Sequence, residues 1–374
     1  MKVLITGGSG FIGSAVTRQL LSCPDVTVDI IDNLSEKIHG SNAVAFDYHD
    51  DRVHFYRGDV TDRTIMETLL TQCDAVIHLA AETGTGQSMY DIEHYARVNV
   101  MGTAVLLDIL SHNRHTVRKV VIASSRAIYG EGSYSCGTHG TVYPLSRRAQ
   151  DMDKGDYEVK CPSCGGGVTL VATSEEAKIH PISFYGITKQ IQESMVMTLC
   201  PPLGITPVSL RYQNVYGPGQ SLSNPYTGIL SIFSNRLRLN KTIEIFEDGL
   251  ESRDFVYIDD VASATVHAVL SPKPDALVCN VGSGTAVTVL KIAQCLKEIY
   301  ASRSELVVNG KYRVGDIRHN IADISKVREA LGFIPATGIE RGLDAFARWV
   351  SAQPISPDLY DASLSELKIK GLYK

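Results

Sequence analysis

Several groups of side chains in this sequence have types and spacings that could do chemistry. One is Cys136-Gly-Thr-His139 with Cys161-Pro-Ser-Cys164, two pairs separated by 21 residues. Three thiolates and one imidazole are enough to close a tetrahedral zinc site. A site with four protein ligands is structural, because no position stays open for a substrate. The Pro and Gly residues near Cys161 and Cys164 suit tight knuckles whose N–H groups face sulfur. Other readings stand beside this one. Cys161 and Cys164 could be a redox pair, although the strand-to-helix setting of such motifs is missing. His139 could be incidental, or the segment could be a loop of unligated thiols.

A second group is Tyr185-Gly-Ile-Thr-Lys189 together with Ser124-Ser125. Tyr185 and Lys189 are four residues apart, so on a helix they share one face. An ammonium beside a phenol favours the phenolate and lowers its pKa from about 10. Such a phenolate can take a proton from an alcohol, with Ser125 as relay or oxygen holder. A third group is Val3-Leu-Ile-Thr-Gly7-Gly-Ser-Gly10-Phe-Ile-Gly13. Gly7 permits a tight turn, Gly10 lets backbone approach a pyrophosphate, and Gly13 allows close helix–strand packing. The helix N-terminus that follows offers free N–H groups to phosphate. Asp32 ends the next apolar run, where a carboxylate takes ribose hydroxyls and repels a 2′-phosphate. NAD is therefore favoured over NADP. The alternative is an Asp32 that merely caps a strand. Asp59 could contact the adenine or be a turn aspartate.

Positioning these groups requires alternating strands and helices. Apolar runs at 3–6, 28–32, 53–56, 75–79, 120–124 and 208–211 read as buried strands. Amphipathic stretches at 12–21, 63–70, 95–111 and 187–199 read as helices between them. That alternation predicts an α/β, Rossmann-like, doubly wound parallel sheet. It occupies residues 1–215. From 216 to 350 Gly and Pro become frequent, which predicts a smaller C-terminal substrate lobe. It has a helix near 226–238, a strand near 243–246 and a partial return to the first lobe near 254–270. Residues 132–178 stand apart as a polar, Gly-rich, zinc-ribbon-like insertion. A loop of that length with little core of its own needs a metal for stability. Residues 351–374 form a tail with little signal.

The chain has 374 residues, a net charge of −5, 44% hydrophobic and 21% charged residues. This is an ordinary globular composition with no basic footprint, so neither nucleic acid nor membrane is an expected partner. With no signal peptide or membrane-length apolar run, a cytoplasmic location is expected, and the eight cysteines are expected as thiols or metal ligands.

Over roughly 1–130 and 180–350 the chain resembles the extended short-chain dehydrogenases/reductases, within the nucleotide-sugar epimerase and dehydratase group. The resemblance rests on Thr6-Gly-Gly-Ser-Gly-Phe-Ile-Gly13, His78-Leu-Ala-Ala81, Asn99, Ser124-Ser125, Tyr185-x3-Lys189, Arg211-Tyr-Gln-Asn214-Val-Tyr-Gly-Pro218 and Arg253-Asp-Phe-Val256. It implies Tyr185 as base, Ser125 as its partner, and Lys189 on the nicotinamide ribose. Phe11, Ile12, Asn33, Val60, Leu79, Ala80, Ala81, Asn99 and Ser124 would complete the cofactor's surroundings. Asn214 would place the substrate diphosphate. Arg253 would clamp it, as would a basic residue near Gly315-Asp316-Ile-Arg318, taken here as Arg318. The competing reading of both arginines is a surface ion pair with a nearby Asp. Gln87 and Tyr226 could line the sugar pocket or only pack their loops.

In this group 4,6-dehydratases place Asp-Glu directly after the catalytic Ser or Thr. Here Arg126-Ala127 follows Ser125. The resemblance therefore implies a 4-epimerase that oxidises, turns and re-reduces a dTDP-, UDP- or GDP-sugar, as a homodimer. Other readings are a dehydratase or 4-keto reductase, a non-catalytic dinucleotide sensor, and an alcohol dehydrogenase with catalytic zinc.

Overall fold

The computed structural model describes residues 1–39, 44–45, 48–222, 228–272, 275–355, 358 and 360–374. Five strands come first: β1 (Lys2–Thr6), β2 (Thr27–Asp32), β3 (Val53–Arg57), β4 (Ala75–His78) and β5 (Lys119–Ser125). With Thr206–Tyr212 and Leu277–Val281 they form one seven-stranded sheet. Its order is Leu277–Val281, Thr206–Tyr212, β5, β4, β1, β2, β3, and every pairing is parallel. The sheet is apolar on both faces. Val3 and Ile5 face a core with Ala15, Val16 and Leu20, while Leu4 faces another with Met66, Leu69 and Leu106. Two buried faces explain why the strands read as unbroken apolar runs rather than alternating ones. The strand order reverses between β1 and β4, which opens a crevice at their C-terminal ends.

Three features of this frame position the site. The helix Phe11–Leu20 starts at Gly10, which carries no side-chain cap, so its first N–H groups stay available. The stretch expected as one helix over 95–111 is interrupted by a π-helical turn, Ala96–Met101, before Gly102–His112. The π turn swings Asn99 inward. The helix Phe184–Leu199 is capped by Ser183, whose side chain accepts from Gly186 N–H. It begins three residues earlier than the apolar period at 187–199 indicates, which puts Tyr185 in its first turn.

The smaller lobe contains Asn214–Tyr216, Ser252–Tyr257 and Ala286–Thr288 in one sheet and Ile243–Ile245 with Leu306–Val308 in another. Ile258–Leu270 returns to pack on Phe11–Leu20, and the return runs on to Leu277–Val281, an edge strand of the main sheet. The tail is tied down: Tyr312 and Lys374 exchange backbone hydrogen bonds at 3.0 and 3.1 Å. Among the described residues no helix is long and apolar enough to cross a membrane.

The inserted segment is small but ordered. Tyr134–Cys136, Gly140–Val142 and Thr169–Leu170 make a three-stranded antiparallel sheet over a minimal core of Tyr134, Val142 and Val159 with Cys136 and Cys161. It docks on the second lobe rather than hanging free. Tyr157 Oη donates to Gly310 O at 2.8 Å, and Thr173 N–H to Ile321 O at 2.9 Å.

Candidate active site

The crevice between β1 and β4 is a cleft of about 300 Å³. Gly7 has φ of +69°, and a Cβ there would lie 2.8 Å from Ala80 N. A Cβ on Gly13 would lie 2.5 Å from Gly7 O, whereas one on Gly10 would meet only Gly7 O, at 3.2 Å. The loop is therefore packed tight against the sheet at Gly7 and Gly13 and left bare at Gly10. Phe11, Ile12, Asp32, Asn33, Asp59, Val60, Leu79, Ala80, Ala81 and Ser124 line the same cleft.

Asp32 is buried at its wall and accepts from Ser9 N–H at 3.1 Å and Leu34 N–H at 2.9 Å. These bonds leave lone pairs for ribose hydroxyls. Asp59 accepts from the amide and hydroxyl of Thr61 and from Asn33 Nδ2. Burial pushes its pKa up, but these hydrogen bonds prevail and hold it below the usual carboxylate value. The bare Gly loop, free helix N-terminus and acceptor carboxylate fit a dinucleotide. Asn99 is the exception. Its Oδ1 accepts from Glu82 N–H at 2.7 Å and its Nδ2 donates to Glu82 O and Thr188 Oγ1. Its amide braces the π turn instead of lining the cleft.

Ser125, Tyr185 and Lys189 meet at the inner end of the cleft. A Cβ on Gly186 would lie 2.7 Å from Ala127 O, so glycine lets the helix start approach the turn after β5. The Ser125 hydroxyl accepts from Ala127 N–H at 3.2 Å and stands near enough to the Tyr185 phenol to draw its pKa down. Tyr185 N–H donates to Ser88 Oγ at 3.0 Å, so the segment around 86–90 braces Tyr185. Gln87 stays in that loop with its Oε1 buried and unpaired, and is in neither cavity wall.

Lys189 Nζ donates to Ala123 O at 2.9 Å and lies 5.9 Å from the centre of the Tyr185 ring. The expected lowering of the Tyr185 pKa by Lys189 does not emerge. Burial pushes the phenol above its ordinary value, and Ser125 and Arg126 pull it part of the way back. Burial also pulls Lys189 down to about 7, so its charge is itself weakened.

A second cavity of about 200 Å³ adjoins the first, and Val215 and Gln220 belong to both walls. Asn214, whose Oδ1 has no hydrogen-bond partner among the described residues, and Arg253 line it as expected residues. Among the described residues Arg253 donates only to carbonyl oxygens, those of Ser252, Ile317 and Arg318. Tyr226 lies outside the described residues.

Arg318 is not there. It is fully buried, and its guanidinium is consumed by Glu158 of the insertion at 2.6 Å, Asp248 at 2.7 Å and Glu247 at 3.0 Å. Arg318 is thus ion-paired rather than free to clamp, but in a buried cluster of two Glu and one Asp and not in the expected surface pair. Arg313, five residues earlier, takes the place in the cavity wall, stacked 4.8 Å from the centre of the Phe246 ring. Arg126 lines the wall as well. Neither was singled out as a binding residue. The signal for Arg313 was its position ahead of Gly315-Asp316.

The four thiol and imidazole side chains converge. Their ligand atoms all lie within 4.8 Å of one another, with Cys136 Sγ to His139 Nδ1 at 3.5 Å, Cys161 Sγ to His139 Nδ1 at 3.6 Å and Cys136 Sγ to Cys164 Sγ at 3.9 Å. Backbone N–H groups of Thr138 and His139 point at Cys136, those of Ser163 and Cys164 at Cys161, and that of Gly166 at Cys164.

Residues 3–151 and 164–282 match the NAD dependent epimerase/dehydratase family. The chain belongs to this family. It is 39% identical over 359 residues to a dTDP-L-rhamnose 4-epimerase of Burkholderia thailandensis, covering 94% of this chain and 95% of that one. It is 26% identical over 365 residues to a dTDP-glucose 4,6-dehydratase of Haemophilus influenzae, at 93% and 97% coverage. A solved Bacillus cereus UDP-glucuronic acid 4-epimerase, in complex with UDP-glucuronic acid and NAD, superposes with a TM-score of 0.76 at 27% identity, over 94% of this chain and 99% of that one.

Replacing Arg318 by Met leaves three carboxylates around an apolar chain. Loss of a buried ionic partner costs about 3 kcal/mol. Thermal unfolding should drop by several degrees, whereas a residue free to clamp substrate would leave the melting temperature unchanged.

Proposed function

We propose that this protein is an NAD-dependent nucleotide-sugar 4-epimerase, acting on dTDP-L-rhamnose or a closely similar nucleotide-activated sugar. The observation that carries this is the Ser125–Tyr185–Lys189 group at the junction of a dinucleotide cleft and an arginine-lined cavity. Ser125 is followed by Arg126-Ala127 in place of the acid pair that elimination of water requires. The choice of sugar draws its support from the 39% relative. Four stretches also resemble that subgroup: Gly86-Gln-Ser-Met-Tyr90, Ser223-Asn-Pro-Tyr-Thr-Gly228, Phe246-Glu-Asp-Gly249 and Gly310-Lys-Tyr-Arg-Val-Gly-Asp-Ile-Arg-His319.

NAD held in the cleft supplies a hydride acceptor that can also return what it accepts. The protein's own residues do the rest. Arg253 and Arg313 bind the diphosphate, for which the planar guanidinium fork is well suited, and Asn214 orients it. Tyr185 takes the proton of the sugar's C4 hydroxyl, Ser125 holds that oxygen, and Lys189 fixes the helix face against Ala123. The diphosphate stays anchored while the 4-keto sugar turns over, and Tyr185 then gives the proton back on the other face. No net oxidation results. Tyr185→Phe removes the proton carrier and should lower kcat by at least about 100-fold, the scale of general acid–base catalysis. The purified variant should retain its NAD. Activity near wild type would remove Tyr185 as the base.

The same proposal includes a structural zinc ion on Cys136, His139, Cys161 and Cys164. A tetrahedral site with bonds of about 2.0–2.3 Å has ligand–ligand edges of about 3.5–3.8 Å. The donor separations of 3.5, 3.6 and 3.9 Å fit that figure, and the N–H groups facing sulfur suit thiolates. With four protein ligands the ion holds the insertion and takes no part in the chemistry. The protein should contain about one zinc per chain by metal analysis. Cys161→Ser should lose it and melt at lower temperature, and unchanged metal content would refute the site. Pairing of two copies in the cytoplasm through first-lobe helices belongs to the same reading, supported by exposed Met101, Ile187 and Ile191 on those helices.

A further inference from the structure

We propose that Arg126 positions the sugar: its guanidinium donates to two neighbouring oxygens of the sugar ring or its substituents, beside the hydroxyl that Tyr185 deprotonates. This rests on the nucleotide-sugar reading given above. Three observations lead to it.

The first is placement. Arg126 opens the short turn Arg126–Tyr129 directly after Ser125. Consecutive Cα atoms are about 3.8 Å apart. The side chain therefore starts one chain step from Ser125, which shares the first cleft with Tyr185, and it lines the second cavity with Asn214, Arg253 and Arg313.

The second is that the cation is unspent. The arginines buried among the described residues, Arg211, Arg236 and Arg318, each have a carboxylate partner. Arg126 is half-buried at the cavity wall and has no hydrogen bond or ion pair with any described residue. Desolvation and the neighbouring charge of Arg253 pull its pKa down to about 10, while Asp316 and Glu131 lend only distant support. At neutral pH it remains charged. A partly desolvated cation with unmade hydrogen bonds is costly unless a ligand completes them.

The third is division of labour in the cavity. Arg253 and Arg313 stand with Asn214 on the walls formed by the second lobe, where the diphosphate is assigned. Arg126 alone of the three comes from the first lobe, in the turn that directly follows the strand carrying Ser125. Its fork matches a pair of adjacent oxygens, such as a vicinal diol or a carboxylate. As a group that stays protonated it can bind those oxygens but cannot act as the base an elimination needs. Substitution at this position therefore both recognises the sugar and forbids the dehydratase outcome.

Arg126→Gln and Arg126→Lys separate a sugar contact from a phosphate contact. Affinity for dTDP and UDP, which lack the sugar, is compared by calorimetry with kcat and KM for the nucleotide sugar that the wild type turns over. Retained NAD and melting temperature serve as folding controls. Removing one charge-assisted contact corresponds to about 10- to 100-fold. The Gln variant should lose that much in kcat/KM while its affinity for the nucleoside diphosphates stays at the wild-type value. The Lys variant should recover part of the loss. It also carries the test if the Gln variant fails to retain NAD, with a smaller fall in kcat/KM at unchanged diphosphate affinity. Equal weakening of nucleoside diphosphate and nucleotide sugar would overturn the proposal in favour of a phosphate contact. No change in either would show that Arg126 touches no ligand. A wild type that binds no nucleoside diphosphate at all would instead bring down the underlying reading.

Discussion

The active site depends on one close approach, that of the helix start at Gly186 to the Ala127 carbonyl. Any side chain there would sit 2.7 Å from that oxygen. Glycine lets the helix Phe184–Leu199 lie against the turn after β5, and the contact brings a phenol and a hydroxyl 60 residues apart in sequence into one cleft. The rest of the frame serves this contact. Ser88 holds the Tyr185 amide, Ala123 holds the Lys189 ammonium, and the π turn at Asn99 ties the same helix to the loop after β4 through Thr188. A phenol held this way would owe its reactivity to position first. Burial raises its pKa, and the Ser125 hydroxyl and the Arg126 charge pull it part of the way back.

The insertion interrupts the chain between those two residues without disturbing them. Its ends meet near the turn after β5, where Gly130, at φ of +62°, leaves no room for a Cβ against the His180 carbonyl. Its far side is bound to the substrate lobe through charges. Arg318 and Arg147 share Glu247, and Glu158 and Glu131 bring partners from in and beside the insertion. Glu247 also lines the second cavity. The clasped segment is thus docked on the second lobe, one ion pair away from the second cavity through Arg147 and Glu247. A metal at its tip would stabilise a fold whose own apolar core is only a handful of residues.

Local spacing made much of this legible. The glycine loop, Asp32 and the Tyr185/Lys189 pair are defined within one turn or one strand, and the structure brings them to a single cleft. What spacing could not convey were choices made by distant chain. Asn99 and Arg318 both have the right types near the right motifs, yet a π turn and an acidic insertion claim their side chains. Arg313 and Arg318 share one stretch, and Arg318 is drawn away from the cavity wall by carboxylates from two distant segments, Glu247 with Asp248 and the insertion's Glu158. Arg126 was visible as a missing acid pair but not as a group with a task, because its lack of partners exists only in three dimensions. The return of Leu277–Val281 to the main sheet was equally hidden, since a five-residue strand holding Asn280 looks no different from its neighbours.

The central claim is that the cleft performs a reversible oxidation at C4 and nothing more. It is tested most directly by incubating the purified protein with dTDP-L-rhamnose and a panel of other nucleotide sugars in D2O, and reading the products by NMR. The account predicts inversion at C4 with unchanged mass and no deuterium at C3 or C5. Loss of water, or deuterium appearing at C5, would contradict it.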